Sequence, residues 1–100
     1  MNVSIPIAQR EIVGEIVQTF DGRDLHADLG VVKDYNNWAK AQIKRARLVE
    51  DKDYLRRAQH GALSATGHTR HEYHFTLDAG KPLGMMSGTE RGSEVREYFL

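Results

Sequence analysis

The chain has 100 residues, of which 40% are hydrophobic and 28% charged, a composition typical of one folded globular domain and not of a disordered segment. No apolar run approaches the length of a membrane span, and the N-terminus lacks the basic end and long apolar stretch of a secretory signal. The formal net charge is zero, which argues against a uniformly basic nucleic-acid binder, and the absence of cysteine excludes a disulfide framework and a thiolate zinc site.

The N-terminal segment, residues 1–22, is predicted to contain an amphipathic helix. Its apolar residues recur over residues 7–20 at a spacing that favours one helix face, and they are Ile7, Ile12, Val13, Ile16, Val17 and Phe20. Pro6 suits the first turn of such a helix, and Asp21-Gly22 is a typical end.

Residues 23–47 predict a pair of helices that resembles a helix-turn-helix. Leu25 and Leu29 indicate a short first helix, which Gly30 stops. Asp34 is predicted to cap the second helix, residues 35–47. The second helix has one inward stripe, formed by Tyr35, Trp38, Ala39, Gln42, Ile43 and Ala46.

After residue 48 the sequence pattern changes from that of helices to that of strands. Residues 53–57 and 72–77 predict the two strands of a hairpin (53–77), because apolar and polar side chains alternate in the second of them. The Gly-, Ser- and Thr-rich stretch between the strands predicts the hairpin tip. Residues 78–100 predict two further helices, the first capped by Thr76 or Asp78 and the second opened by Thr89.

This order predicts a single α+β domain over residues 1–100: a helix-rich, winged-helix-like fold with a β-hairpin between the third and fourth helices. Residues 31–60 hold eight basic and four acidic side chains, which gives this part of the chain a local positive charge. On a DNA-binding interpretation, the third helix and the wing would contact the duplex through Lys33, Asn36, Asn37, Lys40, Lys44, Arg45, Arg56 and Arg57. The alternative is a plain three-helix core with a solvated polar face.

Three blocks of the chain resemble the AntA/AntB antirepressor domain family. The first is RDLHADLGVVKDYNNWAKAQI, residues 23–43, which matches that family's Arg-x-Leu-His, Leu-Gly-Val and aromatic-x-x-Trp elements. The second is Asp53-Tyr54 after an acidic turn, and the third is residues 72–100, which contain Arg-x-Tyr-Phe at positions 96–99. Three residues depart from the family's pattern, because good helix formers are expected where this chain has Gly80, Pro82 and Gly84.

The resemblance implies a phage or prophage antirepressor, a regulatory protein that relieves repression of lytic genes and is not an enzyme. It implies action in the cytoplasm of the bacterial host by binding the phage repressor protein. The family also resembles viral DNA-binding domains of the KilA-N and Bro-N types, so duplex DNA is the alternative partner. A second, C-terminal domain often follows in this family, and whether one follows here is left open.

A partner interface is predicted from apolar residues near the C-terminus, for a repressor or for a second copy in a homodimer. With a second copy as the partner, the alternative function is that of a dimerisation or structural domain of a larger phage regulator. Its residues are Met85, Met86, Val95, Tyr98 and Phe99. No nucleophile motif or phosphate-binding loop is present, and the three-residue spacing of His68, His71 and His74 does not suit a metal site on a strand. We therefore predict no catalytic residue, metal or cofactor. His26 is predicted to be a buried structural residue, bonded to a backbone carbonyl or a carboxylate, and the alternative is a contact with phosphate or a partner.

Overall fold

The structure, a computed structural model, describes residues 5–59 and 70–100, and most of the predicted hairpin tip lies outside these residues. The elements in chain order are β1 (Ile7–Ile12), β2 (Glu15–Asp21), α1 (Gly22–Asp28), α2 (Tyr35–Ala46), β3 (Tyr54–Gln59), β4 (Arg70–Thr76), α3 (Leu77–Met85) and α4 (Glu90–Tyr98). The four strands form one antiparallel sheet in the order β1-β2-β4-β3. Among the described residues, no helix is long and apolar enough to span a membrane.

The predicted winged-helix-like fold is wrong, and the error begins in the N-terminal segment. Residues 7–21 form the β1–β2 hairpin instead of a helix, so only two helices precede β3. The β3–β4 hairpin follows the second helix, and β4 lies inside the sheet between β2 and β3, so this hairpin is not a projecting wing.

The residues of the β1–β2 hairpin explain why it is not helical. Ile and Val dominate its apolar positions, and β-branched side chains favour strands over helices. Val13 and Gly14 form a two-residue turn with φ of 47° and 81°, the positive values that a tight hairpin turn requires. The helix-like spacing therefore arises from apolar residues on two strands that the turn folds together.

The remaining elements were predicted with small errors in their bounds, because their ends carry local signals. The side chain of Asp34 accepts a hydrogen bond from the Asn37 N–H at 3.1 Å and begins α2. Thr76 accepts from Ala79 N–H at 3.3 Å to begin α3, and Thr89 begins α4. The strands predicted at residues 53–57 and 72–77 are confirmed as β3 and β4.

The core lies between one face of the sheet and the four helices. Phe20 of β2 and Phe75 of β4 are on this face, and Phe20 stacks on Phe99 with ring centroids 4.6 Å apart. Each helix contributes a fully buried or nearly buried apolar side chain, and these are Leu25, Ala39, Leu83 and Val95. The opposite face of the sheet carries the alternate residues of each strand.

Two of the residues that depart from the family's pattern are explained by the close packing of α3 on α4. A Cβ atom on Gly80 would lie 2.5 Å from Cδ2 of Phe99, and one on Gly84 would lie 2.8 Å from the carbonyl oxygen of Gly92. Neither position has room for a side chain, so α3 keeps glycine there although glycine weakens a helix.

Candidate functional site

The connection between α1 and α2 is fixed by residues of the Arg-x-Leu-His and aromatic-x-x-Trp elements. The Nε2–H of His26 donates to the carbonyl oxygen of Lys33 at 2.7 Å, since a carbonyl can only accept. The same imidazole contacts Tyr35 and Trp38 edge-on, with ring centroids 5.6 and 5.2 Å apart. The predicted hydrogen bond of His26 to a backbone carbonyl is therefore confirmed, although the side chain is half-buried and not buried as predicted.

An ion pair holds α1 against the sheet and against the start of α2. The Arg23 Nε–H lies within 3.0 and 2.7 Å of the two carboxylate oxygens of Glu72. The guanidinium carbon of Arg23 lies 4.3 Å from the centroid of the Tyr35 ring. Burial, together with the negative charge of Asp21, raises the pKa of the Tyr35 hydroxyl, so this phenol stays neutral beside the pair.

An apolar cleft of about 320 Å³ opens between the α1–α2 connection and the α3–α4 connection. Its lining residues come from four parts of the chain and are Leu29, Gly30, Val31, Trp38, Gln42, Leu83, Met86, Ser87 and Thr89. Val32, next to the lining residue Val31, is 99% exposed. The cleft and the exposed valine that follows it in the chain together offer apolar surface to a partner.

The structure separates the residues predicted for a partner interface. Val95 and Phe99 are 0% and 6% exposed and belong to the core, so they form no surface patch on this chain. Met86 lines the cleft, while Met85 and Tyr98 are 56% and 43% exposed. The sequence interpretation missed Val32 as a surface residue, although two adjacent valines in a polar turn are a detectable signal.

Helix α2 carries several of the residues predicted to contact DNA. Lys40, Lys44 and Arg45 are exposed, and no acidic residue occurs in α2. Lys33 is exposed in the connection before it, and Asn36 is half-buried. Asn37 is engaged at the helix cap, because its side-chain amide donates to Asp34 Oδ1 at 2.7 Å. The backbone N–H and the side-chain amide of Asn37 hold the pKa of Asp34 below its ordinary value.

The two arginines of β3 lie on opposite faces of the sheet. Their alternation puts Arg56 on the face that the helices cover, where its Nε lies 3.6 Å from a carboxylate oxygen of Glu50. Arg57 lies on the opposite face. The predicted DNA-contact residues therefore span both faces of the sheet.

The face that carries Arg57 also holds a buried histidine, His74, which is 8% exposed. Burial and the positive charges of Arg10 and Arg57 lower its pKa, and the negative charges of Asp21 and Glu72 oppose this effect. His71 lies on the other face of β4 from His74. The described part of the chain holds no cluster of three potential metal ligands.

We expect His74 to make the protein less stable in mild acid. The unfolded chain takes up a proton near the ordinary histidine pKa of 6.5, whereas the folded state has a lower pKa. The contribution of neutral His74 to the free energy of unfolding is therefore fully present above pH 6.5 and is lost as the pH falls towards the folded-state pKa. Denaturant unfolding at about pH 7.5 and about pH 5.5 measures this loss, which should shrink in His74→Gln. Equal losses in the two proteins would refute the assignment.

Residues 20–89 of the chain match the model of the AntA/AntB antirepressor family. The chain belongs to this family. It is therefore a phage antirepressor-type protein, from a family whose members are regulators and not enzymes. Comparison with curated proteins and with solved structures found no match.

The segment matched by the AntA/AntB model contains the whole cleft. Every cleft-lining residue, from Leu29 to Thr89, falls inside residues 20–89, and so does Val32. Strand β1 and most of β2 precede the match, and α4 follows it. The cleft thus belongs to the part of the domain that the family shares.

Proposed function

We propose that this AntA/AntB protein relieves repression of lytic genes by binding a phage repressor in the bacterial host cell, through the apolar cleft. The observation that carries the proposal is the apolar cleft together with the fully exposed Val32, which follows the lining residue Val31 in the chain. Burial of one valine side chain is worth about 1.5 to 3 kcal/mol. An apolar side chain of the repressor that enters the cleft would bury Val32 and the lining together.

The cleft is held in shape without a partner, which lowers the entropic cost of binding. The α1–α2 connection is fixed by the His26–Lys33 hydrogen bond. On the opposite side, Arg91 of α4 donates to both carboxylate oxygens of Asp28 in α1, at 2.9 and 2.6 Å. Both ends of the cleft are therefore attached to the same helix, α1.

Replacement of Val32 by serine tests the proposal. We expect Val32→Ser to weaken binding of the repressor encoded in the same phage genome by roughly tenfold, with no change in thermal stability, because the side chain contacts solvent in the free protein. Val49→Ser is the matched control, since Val49 is also exposed but neither of its neighbours in the chain lines the cleft. Isothermal titration of the three proteins with the purified repressor gives the comparison. Equal affinities for all three would reject the cleft as the binding site.

Direct binding of duplex DNA is the alternative function, and the acid-free helix α2 is the observation that favours it. Lys40, Lys44 and Arg45 offer three cations to phosphates. Two features weaken this alternative. Arg57 lies on the other face of the sheet, and the amide of Asn37 is engaged by Asp34.

A further inference from the structure

Residues 7–18 form a two-stranded extension of the sheet, here named the hairpin arm. Among the described residues, strand β2 pairs with β4 only through Thr19, Phe20 and Asp21, whereas residues 15–18 pair with β1 alone. An isolated two-stranded hairpin is marginally stable in water, and apolar side chains on it are costly unless something covers them. Val13 and Ile16 in the arm are nevertheless 77% and 67% exposed.

Val13, at the tip of the arm, has a backbone conformation that is unfavourable for valine. Val13 has φ 47°, a left-handed conformation that costs a β-branched residue roughly 1 to 2 kcal/mol. Asn, Asp or Gly fit this turn position much better. Packing of the Val13 side chain within one chain does not offset this cost, because the side chain is largely exposed. A strained and exposed apolar tip indicates that the side chain is used in a contact outside the chain.

One face of the arm combines apolar surface with negative charge. Glu11 and Ile16 are direct cross-strand partners, so both side chains lie on one face. Strand alternation adds Ile7, Gln9 and Gln18 to the same face. Glu11 is thus the single charged residue there, whereas Arg10 and Glu15 lie on the other face.

The outward face of α2 has the complementary character. Lys40 and Lys44 are exposed and one helical turn apart, and Ala41 between them is exposed as well. The aliphatic stems of lysine can cover apolar side chains while their ammonium groups meet a carboxylate. Within one chain, β1 packs against β2, and β2 packs against α1, α3 and β4.

We propose that the hairpin arm of one copy docks on the outward face of α2 in a second copy, and that the second copy returns the same contact. This gives a symmetric dimer with two identical arm–helix contacts. Charge complementarity between Glu11 and the pair Lys40 and Lys44 selects a second copy as the occupant. The proposed dimer does not use the cleft, so it stands or falls separately from repressor binding.

Sedimentation velocity over a concentration series tests the dimer. We expect the unaltered protein to dimerise, and both Glu11→Lys and the double variant Lys40→Glu/Lys44→Glu to weaken self-association by about tenfold or more. Glu15→Lys is the matched control, because Glu15 lies on the other face of the arm, and it should dimerise normally.

Mixing the two charge-reversed variants is the decisive measurement. In the mixed dimer, one contact joins two reversed surfaces and the other joins two unaltered surfaces, so both are again complementary. We expect equal amounts of Glu11→Lys and Lys40→Glu/Lys44→Glu to form heterodimers at concentrations where each variant alone is mostly monomeric. A monomeric mixture would overturn the proposal, and so would an unaltered protein that stays monomeric.

Val13→Asn separates a contact role from a structural role. Asparagine suits the turn, so it should raise the melting temperature, by roughly 4 to 8 °C for each kcal/mol of relieved strain. The same variant should weaken the dimer, because it removes the apolar tip. Unchanged or tighter dimerisation of Val13→Asn would count against the arm. If a fluorescent DNA duplex binds a monomeric protein and is lost in Lys40→Glu/Lys44→Glu, the helix face serves DNA and the dimer proposal is overturned.

Discussion

Replacement of Gly92 by alanine is expected to destabilise the protein by about 2 kcal/mol, although alanine is normally better than glycine in a helix by about 1 kcal/mol. A Cβ atom on Gly92 would overlap the carbonyl oxygen of Gly84 and the side chain of Ser87. Extra atoms in a closely packed region cost about 1 to 3 kcal/mol or more, and here one of the neighbours is backbone. The clash therefore outweighs the gain in helix propensity.

Thermal unfolding measures this effect, and the melting temperature of Gly92→Ala should fall by roughly 10 °C. Ser93→Ala is the control, because Ser93 is the next residue of α4 and is exposed. That substitution changes only helix propensity and should leave the melting temperature equal or slightly higher. A Gly92→Ala protein as stable as Ser93→Ala would show that α3 and α4 do not pack as closely as their glycines indicate.

The helices could be predicted because their starts are encoded locally. Asp34 and Thr89 each accept a hydrogen bond from the N–H three residues later, and this preference is visible in the sequence without knowledge of the fold. The β1–β2 hairpin had no such signal. Its turn is Val13-Gly14 and not Asn-Gly, and the strained Val13 is a poor indicator of a turn.

The site could be predicted only in part, because sequence patterns do not show which surfaces meet. The stripe containing Val95 and Phe99 was correctly seen as apolar, but the sequence does not say that Phe20 covers it. Likewise, the positive charges of residues 31–60 do not reveal that Arg57 points away from α2. The cleft requires Leu29 and Leu83, which are far apart in the chain, to lie together.

Loss of the ion pair between Arg23 and Glu72 is expected to lower the free energy of unfolding by an amount similar to the effect of Gly92→Ala. In Arg23→Met, the carboxylate of Glu72 loses its two-oxygen contact with the guanidinium while its side chain is only 11% exposed. Removal of one partner of a buried pair costs about 3 to 5 kcal/mol. The Arg23 side chain is 32% exposed, so water screens part of the interaction and we expect a loss of roughly 2 to 3 kcal/mol.

A double-mutant cycle separates the pair from the packing of each side chain. Arg23→Met, Glu72→Leu and the double variant are unfolded in denaturant, and the double variant should lose less stability than the sum of the single losses. We expect a coupling of about 1 to 3 kcal/mol, because the double variant leaves neither charge buried.

The Glu50–Arg56 pair provides the matched cycle. Its closest atoms are 3.6 Å apart, and its side chains are 42% and 48% exposed, so its coupling should stay below about 1 kcal/mol. If both cycles gave the same coupling, burial would not strengthen the Arg23–Glu72 contact. The arginine of the Arg-x-Leu-His element would then not be what holds α1 to β4. A larger coupling for the Arg23–Glu72 pair would explain why this element carries an arginine. The arginine fixes α1, and with it one wall of the cleft, to the centre of the sheet.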